Sequence, residues 1–131
     1  MKYRNKKCEY MGIKFDSLGE RDRYIYLKSM ESQGIIEELT LQPVFRINVH
    51  GVKICDYRGD FRYFHNGAEV IEDFKGIETP VFKLKKKLVL AVFGKEIRIV
   101  KKPTEEIAQN SPKKPKDRLR VRWNGFYNPM Y

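Results

Sequence analysis

Asp60, Asp73 and Lys75 have the side-chain types and the spacing needed to bind a divalent cation and to position a water molecule. Asp73 and Lys75 are separated by one residue near the end of a segment rich in β-branched and aromatic residues. Side chains alternate along a strand, so both should point to one face of a sheet while Phe74 points to the other. Asp60 lies in the preceding segment of the same kind. Two carboxylates and an ammonium group placed in this way suit a hard cation and a water beside it.

The two segments are joined through Asn66-Gly67, the strongest short sequence signal for a β-hairpin. An antiparallel hairpin with this turn would place Asp60 on one strand and Asp73 on its neighbour. The Asp-x-Lys pattern alone also has an ordinary explanation, because such pairs are common on exposed strands and contribute little as surface ion pairs. Whether these residues form a functional site or an ordinary surface ion pair therefore depends on the segments around the hairpin.

A third carboxylate, Glu20, opens the first predicted helix. The residues Ser17-Leu18-Gly19-Glu20 have the form of a capping box, in which Ser17 is the N-cap and Glu20 reaches back to it. Gly34 ends this helix near Gln33. Glu20 has two interpretations that do not exclude each other. It completes a cap that contributes about 1 kcal/mol, or it is delivered by the helix to the mouth of the carboxylate site.

The remaining segments predict an α/β domain with the element order αβββαβ. A strand over Val44–Val49 turns back at His50-Gly51 into a long strand region over Val52–Phe64, where Gly59 marks a bulge or bend. The hairpin then supplies the third strand. A second helix is predicted from the cap Thr79-Pro80 to Gly94. Glu96–Val100 forms the last strand of a central mixed sheet.

The charge of the chain points to a polyanionic partner. Its 131 residues carry a net charge of +10, and half of that charge lies from Lys101 onward. The sequence has no apolar run long enough to cross a membrane and no signal-peptide pattern at its start, so we expect a cytoplasmic protein. A hydrophobic content of 41% suits one globular domain, which we place at residues 1–103, followed by a flexible basic, aromatic arm at 104–131.

Two groups of basic residues are candidates for DNA binding. Lys83, Lys86 and Lys87 recur at helical spacing on the second helix, where such a face is otherwise merely solvated. In the arm, three arginines alternate with apolar residues that include Trp123, a pattern that fits stacking on unpaired bases as well as docking on the core or a second subunit. The arginines are Arg118, Arg120 and Arg122.

Several segments together resemble the PD-(D/E)xK nuclease superfamily, and in particular a family of small phage-encoded proteins assigned to it. The matching segments are residues 12–17 with Glu20, then 41–43, 60–61, 72–76 and 79–87, so the resemblance covers about residues 5–100. It implies a restriction-endonuclease-like fold and a metal-dependent DNA endonuclease, related in layout to junction-resolving enzymes and some transposon-end nucleases. The sequence departs from the commoner pattern in having Asp rather than Glu at position 73.

Carried over residue by residue, the resemblance implies a site formed by Glu20, Asp60, Asp73 and Lys75. Asp60 and Asp73, with the carbonyl of Phe74, would hold Mg²⁺ or Mn²⁺. Glu20 would bind a second ion or a metal-bound water. Lys75 would orient the attacking water and offset charge in the transition state. The products would be 5′-phosphate and 3′-hydroxyl ends.

The expected substrate is branched DNA, such as a Holliday junction, in phage replication or recombination. Cutting two strands of a junction implies a homodimer, and a phage protein would act in the host cytoplasm. Two alternatives from other classes stay open at this point. One is a non-catalytic DNA-binding or recombination accessory protein on a nuclease fold, and the other is a protein-binding accessory whose basic tail recruits a partner.

Overall fold

Two helices pack on opposite faces of a four-stranded sheet in the computed structural model of the protein, which describes residues 6–107. The elements are β1 (Cys8–Tyr10), β2 (Ile13–Phe15), α1 (Leu18–Ser32), β3 (Glu37–Leu41), β4 (Val44–Val49), β5 (Val52–Arg58), β6 (Phe61–His65), β7 (Ala68–Phe74), α2 (Pro80–Phe93) and β8 (Ile97–Val100). The sheet has the order β3-β6-β7-β8, and only its β7–β8 pair is parallel. β1–β2 and β4–β5 form separate antiparallel hairpins. The predicted α/β class with a central mixed sheet is confirmed.

The ends of both helices follow their local capping signals. The Ser17 hydroxyl accepts the N–H of Glu20 at 3.1 Å, as the capping box predicts. The Glu20 carboxylate, however, accepts the N–H of Asp16 at 3.2 Å, so the box closes one residue earlier than we expected. Thr79 caps α2 by accepting the N–H of Phe82 at 3.1 Å, and Gly94 ends that helix with a left-handed φ of 70°.

The hairpin that carries the candidate site forms where the sequence predicts it. Asn66 and Gly67 both have positive φ, at 54° and 81°, as a two-residue type I′ turn requires. The strands that they join pair antiparallel, with Phe61 opposite Glu72. Asp60, directly before β6, therefore lies near the end of β7 that carries Asp73.

The strand assignment differs from the predicted one in two places. The long region over Val52–Phe64 is broken at Gly59 and Asp60 into β5 and β6, which belong to different sheets. The predicted first strand, Val44–Val49, pairs only with β5. Its place in the central sheet is taken by β3, which the sequence analysis did not identify as a strand. On that sheet the order αβββαβ is thus formed by α1, β3, β6, β7, α2 and β8.

Each face of the sheet has its own apolar core. On the α1 face the core includes Phe15, Leu27, Ile36, Phe61, Tyr63 and Ile107, so the chain remains packed as far as the last described residue. On the α2 face, Ile71 of the sheet packs against the β4–β5 hairpin and the helix, which contribute Phe45, Ile47, Tyr57, Phe82 and Val89. Leu84, an apolar residue of the same helix, is 58% exposed, because Phe82 and Val89 set the inward direction of α2. Among residues 6–107, no helix has the length and apolar character needed to span a membrane.

Candidate active site

Asp60 is held at the end of the sheet where β6 begins and β7 ends. Its N–H donates to the carbonyl of Glu72 at 3.0 Å, and its carboxylate Oδ2 accepts the N–H of Phe74 at 2.7 Å. These two contacts bracket Asp73, so the two aspartates are brought together as the hairpin register predicts. We had expected Asp60 within a strand, but β5 ends before Gly59 and the chain bends at Asp60 before β6 starts.

Asp73 is almost completely buried on the α2 face, at 2% exposure. The hydroxyl of Tyr57 donates a hydrogen bond to its Oδ2, and the Lys75 ammonium lies 3.2 Å from its Oδ1. Asp73 and Lys75 therefore share a face, as the alternation of a strand requires. The Lys75 side chain is 31% exposed and lies over the ring of Phe82, 4.7 Å from the centroid, so its ammonium group remains accessible to a ligand from solvent.

Glu20 reaches the same region from the first turn of α1, on the other side of the sheet. It is 9% exposed, and it lines a cleft together with Asp60. The close approach of α1 depends on Gly19, because a Cβ at that position would overlap the ring of Phe74. Glu20 therefore takes part in the helix cap, through Asp16 rather than Ser17, and also lies beside Asp60.

Burial and mutual repulsion set the electrostatics of this group. Burial and then the neighbouring Glu20 carboxylate raise the pKa of Asp60 to about 7, against a lowering by the N–H of Phe74. Burial and then the charge of Asp60 raise the pKa of Asp73 to about 7, although Tyr57 and Lys75 oppose the change. Glu20, Asp60 and Asp73 are neighbours in that order, and the one lysine beside Asp73 leaves excess negative charge in a region of low solvent access. A bound cation would relieve this repulsion.

The oxygen donors fit a hard divalent cation in chemical type. Carboxylate and carbonyl oxygens are the ligands that Mg²⁺ and Mn²⁺ prefer. Across residues 6–107, no three His, Cys, Asp or Glu side chains are already arranged as a metal site. Both oxygens of Asp73 have protein partners, yet each carboxylate oxygen has two lone pairs and retains capacity for an ion. The cluster thus has the donors for a cation, and binding would need its side chains to rearrange.

Tyr57 is a site residue that sequence reasoning missed. It is 3% exposed, and it reaches Asp73 from the β4–β5 hairpin, outside the central sheet. Burial and the charge of Asp73 raise its pKa far above the ordinary value for tyrosine, so the phenol stays protonated and donates. Nothing in the local sequence indicates which residue a hairpin in another sheet will present. The contact is a product of tertiary packing.

The opposite face of β7 carries a buried ion-pair network that the sequence analysis also missed. Arg23, fully buried, forms two hydrogen bonds with the carboxylate of Glu72, at 2.8 and 2.7 Å. Tyr63 donates to the same carboxylate, and Arg98 lies 3.4 Å from it. Arg23 also donates to the carbonyl of Pro103 at 3.0 Å. Its position three residues after Glu20, on the same helix face, is the sequence signal that could have revealed it.

The predicted DNA-binding residues are only partly within the described chain. Lys83 and Lys87 are exposed on α2 and Lys86 is half-buried, on a helix whose first turn lies beside Lys75. Exposed apolar side chains, including Leu84, are interspersed with these lysines. The remaining candidates, Arg118, Arg120, Arg122 and Trp123, lie outside residues 6–107.

The fold and the site together define a mixed α/β domain whose carboxylates cluster at one end of the central sheet. The chain belongs to the DUF1064 family, described as a protein of unknown function, which matches residues 1–104. No curated protein and no solved structure matches the chain significantly.

Proposed function

We propose that this protein is a metal-dependent DNA endonuclease with a restriction-endonuclease-like fold of the PD-(D/E)xK type. The observation that carries the proposal is the convergence of Asp60, Asp73 and Glu20 with Lys75 at one end of the central sheet. The succession of α1, β3, β6, β7, α2 and β8 supports it, because it is the element order that the resemblance implies. The β4–β5 hairpin is then an insertion that supplies Tyr57.

The residues that would hold Mg²⁺ or Mn²⁺ are Asp60 and Asp73, with the carbonyl of Phe74 and with Glu20 on the far side. When bound, such an ion polarises a phosphate oxygen and makes a bound water more acidic. Lys75 is close enough to Asp73 to orient the attacking water, and it can donate to a phosphate oxygen as negative charge builds. Tyr57 fixes the orientation of the Asp73 carboxylate.

DNA is the proposed substrate because of charge. The net charge of +10 attracts a polyanion, and the α2 lysines lie on the helix whose first turn adjoins Lys75. The three clustered carboxylates would repel phosphate unless a cation neutralises them. Binding of phosphate at the site and binding of metal should therefore depend on each other. Branched DNA and a homodimer are proposed on the resemblance to junction-resolving nucleases.

A cleavage panel with the full-length chain tests the proposal. Linear, nicked, forked and four-way DNA are incubated with Mg²⁺, Mn²⁺ or EDTA, and sedimentation measures the oligomeric state with and without DNA. We expect paired incisions in the four-way substrate with either ion and none in EDTA. Asp73→Asn should abolish cleavage and leave DNA binding intact or tighter. Its matched control is Asp56→Asn, since the Asp56 side chain is 45% exposed on β5.

Two outcomes would overturn the assignment. The first is full cleavage by Asp73→Asn, which would place the chemistry elsewhere. The second is an absence of cleavage by the wild-type chain on every substrate with both ions. Tight binding of DNA in that second case would leave the non-catalytic DNA-binding accessory as the function.

A further inference from the structure

We propose that the cleft beside Glu20 and Asp60 binds one unpaired nucleotide next to the scissile phosphate, with Lys14 and Gln42 as its contact residues. The proposal rests on the proposed function and goes beyond it, because it assigns a recognition site to residues other than the clustered carboxylates and Lys75. It also gives a physical reason for selecting branched DNA.

The cleft has a volume of about 240 Å³ and opens on the α1 side of Asp60. One wall comes from β2 and the other from the end of β3 and the residue after it. Each wall has an apolar residue beside an exposed polar one, and one end of the cleft is acidic. The residues that define these properties are Ile13, Lys14, Glu20, Leu41, Gln42 and Asp60.

The size of the cleft selects a single nucleotide. Sites for drug-sized ligands span about 300–1,000 Å³, so this cleft is below that range and suits one base better than a base pair. A flat nucleobase suits this mixed lining, because its faces can pack on the apolar residue of each wall while its edges meet the polar ones. The base must therefore enter alone, as in proteins that take an unstacked base into a pocket.

The charges of the cleft fix the direction in which a nucleotide would lie. Glu20 and Asp60, two of the three clustered carboxylates, lie at one end of the cleft. A phosphate can bind at that end only where a cation neutralises them. The base then points away from that end, toward Ile13 and Leu41. Lys14 is exposed in the wall formed by β2, where it can pair with the neighbouring phosphate.

Gln42 is the residue placed to contact the base edge. Its amide carries both donors and an acceptor, so it can bond to any base without selecting a sequence. Its backbone has a φ of 53°, an unfavourable left-handed conformation for glutamine, and its N–H donates to the carbonyl of Asp60 at 2.9 Å. This hydrogen bond holds the backbone of Gln42 beside Asp60.

This geometry favours DNA in which a base is already unpaired or easily unstacked. In a continuous duplex, the base beside the scissile phosphate must first leave its stack, which opposes binding. At a branch point that cost is smaller. The cleft would thereby discriminate branched from linear DNA without reading a sequence.

A fluorescence experiment measures base entry without requiring cleavage. 2-Aminopurine is placed singly at each branch-point position of a four-way junction, and the full-length protein is added with Ca²⁺. We expect a rise in fluorescence at one position, because 2-aminopurine brightens when it unstacks. Gln42→Gly removes the side chain without adding strain, since glycine accepts a left-handed φ. It should abolish the rise and weaken junction binding about tenfold.

Lys14→Ala tests the phosphate contact. It should weaken binding and lower the slope of log affinity against log salt by about one. The matched controls lie on the β4–β5 hairpin, at its turn. His50→Gly changes a residue with a similar φ of 51°, and Lys53→Ala removes a lysine that is 65% exposed. Both controls should behave as the wild type does, and melting temperatures should show that all four variants are folded.

The results separate this proposal from the proposed endonuclease function. Cleavage by a wild-type chain that gives no fluorescence rise at any position would refute the nucleotide site alone. A rise that depends on Gln42 in a chain that cuts nothing would support the site and refute the nuclease function. Junction binding by Gln42→Gly and Lys14→Ala equal to that of the controls, or no binding of DNA at all, would also refute the site.

Discussion

The folded protein should lose stability as the pH rises from 5 to 7.5 in the absence of divalent cations, and Asp60→Asn should remove most of that loss. The pKa of Asp60 and that of Asp73 both rise from 3.8 to about 7 on folding. Between those values the folded state binds more protons than the unfolded state. Stability is therefore greatest at low pH and falls as the pH rises through about 7.

The size of the effect follows from the size of the pKa change. A rise from 3.8 to about 7 corresponds to about 4 kcal/mol, at about 1.4 kcal/mol per pH unit. The charge of Asp60 is part of the rise for Asp73, so the two values are coupled and we expect about 4 kcal/mol for the pair rather than for each aspartate. At about 4 °C per kcal/mol for a chain of this length, the melting temperature should change by about 15 °C. Part of that change falls below pH 5.

The variant Asp60→Asn tests whether the charge of Asp60 causes the loss of stability. Its amide oxygen can still accept the N–H of Phe74, but the side chain carries no charge to be buried or to repel Asp73. The variant should melt a few degrees above the wild type at pH 5, because part of the change falls below that pH, and well above it at pH 7.5. Mn²⁺ at pH 7.5 should raise the melting temperature of the wild type and have a smaller effect on Asp60→Asn.

The melting temperature is measured by thermal melts from pH 5 to 7.5, in EDTA and at constant ionic strength. The range starts at pH 5 because Glu31, Glu69 and Glu105 have lowered pKa values and change stability in the opposite sense at more acidic pH. Asp56→Asn, an exposed carboxylate on β5, is the control and should parallel the wild type. A wild-type melting temperature that is flat or rising over this range would refute the reasoning, as would an Asp60→Asn curve parallel to it.

Three further variants test single contacts. Lys75→Ala should reduce turnover at least 100-fold while metal affinity, measured by calorimetry, changes less than about threefold, because its proposed role is in the transition state. Tyr57→Phe removes a hydrogen bond that lowers the pKa of Asp73, so the acidic limb of the pH–rate profile should move to higher pH with metal held constant. Arg23→Met leaves Glu72 buried with a weaker partner and should cost about 3–5 kcal/mol in urea unfolding, whereas the double variant with Glu72→Leu should recover most of the loss.

The features that the sequence predicted correctly depend on short-range energetics. Ser17 and Thr79 cap helices through hydrogen bonds to residues three positions away, and Gly94 ends α2 in a conformation that glycine adopts without strain. Asn66 likewise sits in a tight turn whose requirement for positive φ is local. These elements could be located from the sequence because each signal and its structural consequence lie within one turn of the chain.

The strand assignment failed where pairing is decided by tertiary contacts. β3 contains Glu37 and Glu38, has an irregular register with β6, and includes a residue at a φ of 56°, so it lacks the alternation of a regular strand. Val44–Val49 alternates well but joins β5 alone. Propensity identified the better strand former, and the topology placed the poorer one at the edge of the central sheet. The contact from Tyr57 to Asp73 was missed for the same reason.

Neighbouring residues on β7 show how differently this fold treats two buried carboxylates. Glu72 is fully buried, and two arginines from the described chain neutralise it, Arg23 with two hydrogen bonds and Arg98 at 3.4 Å. Asp73, buried to a similar extent on the other face, shares its surroundings with Asp60 and has one half-buried lysine as its ion-pair partner among residues 6–107. The fold thus surrounds the Glu72 carboxylate with two guanidinium groups but leaves the Asp73 carboxylate with less positive charge nearby. Such a deficit is costly to the folded chain unless a ligand supplies the charge. The difference between the two faces of one strand is therefore what a structural ion pair and a cation-dependent active site would produce side by side.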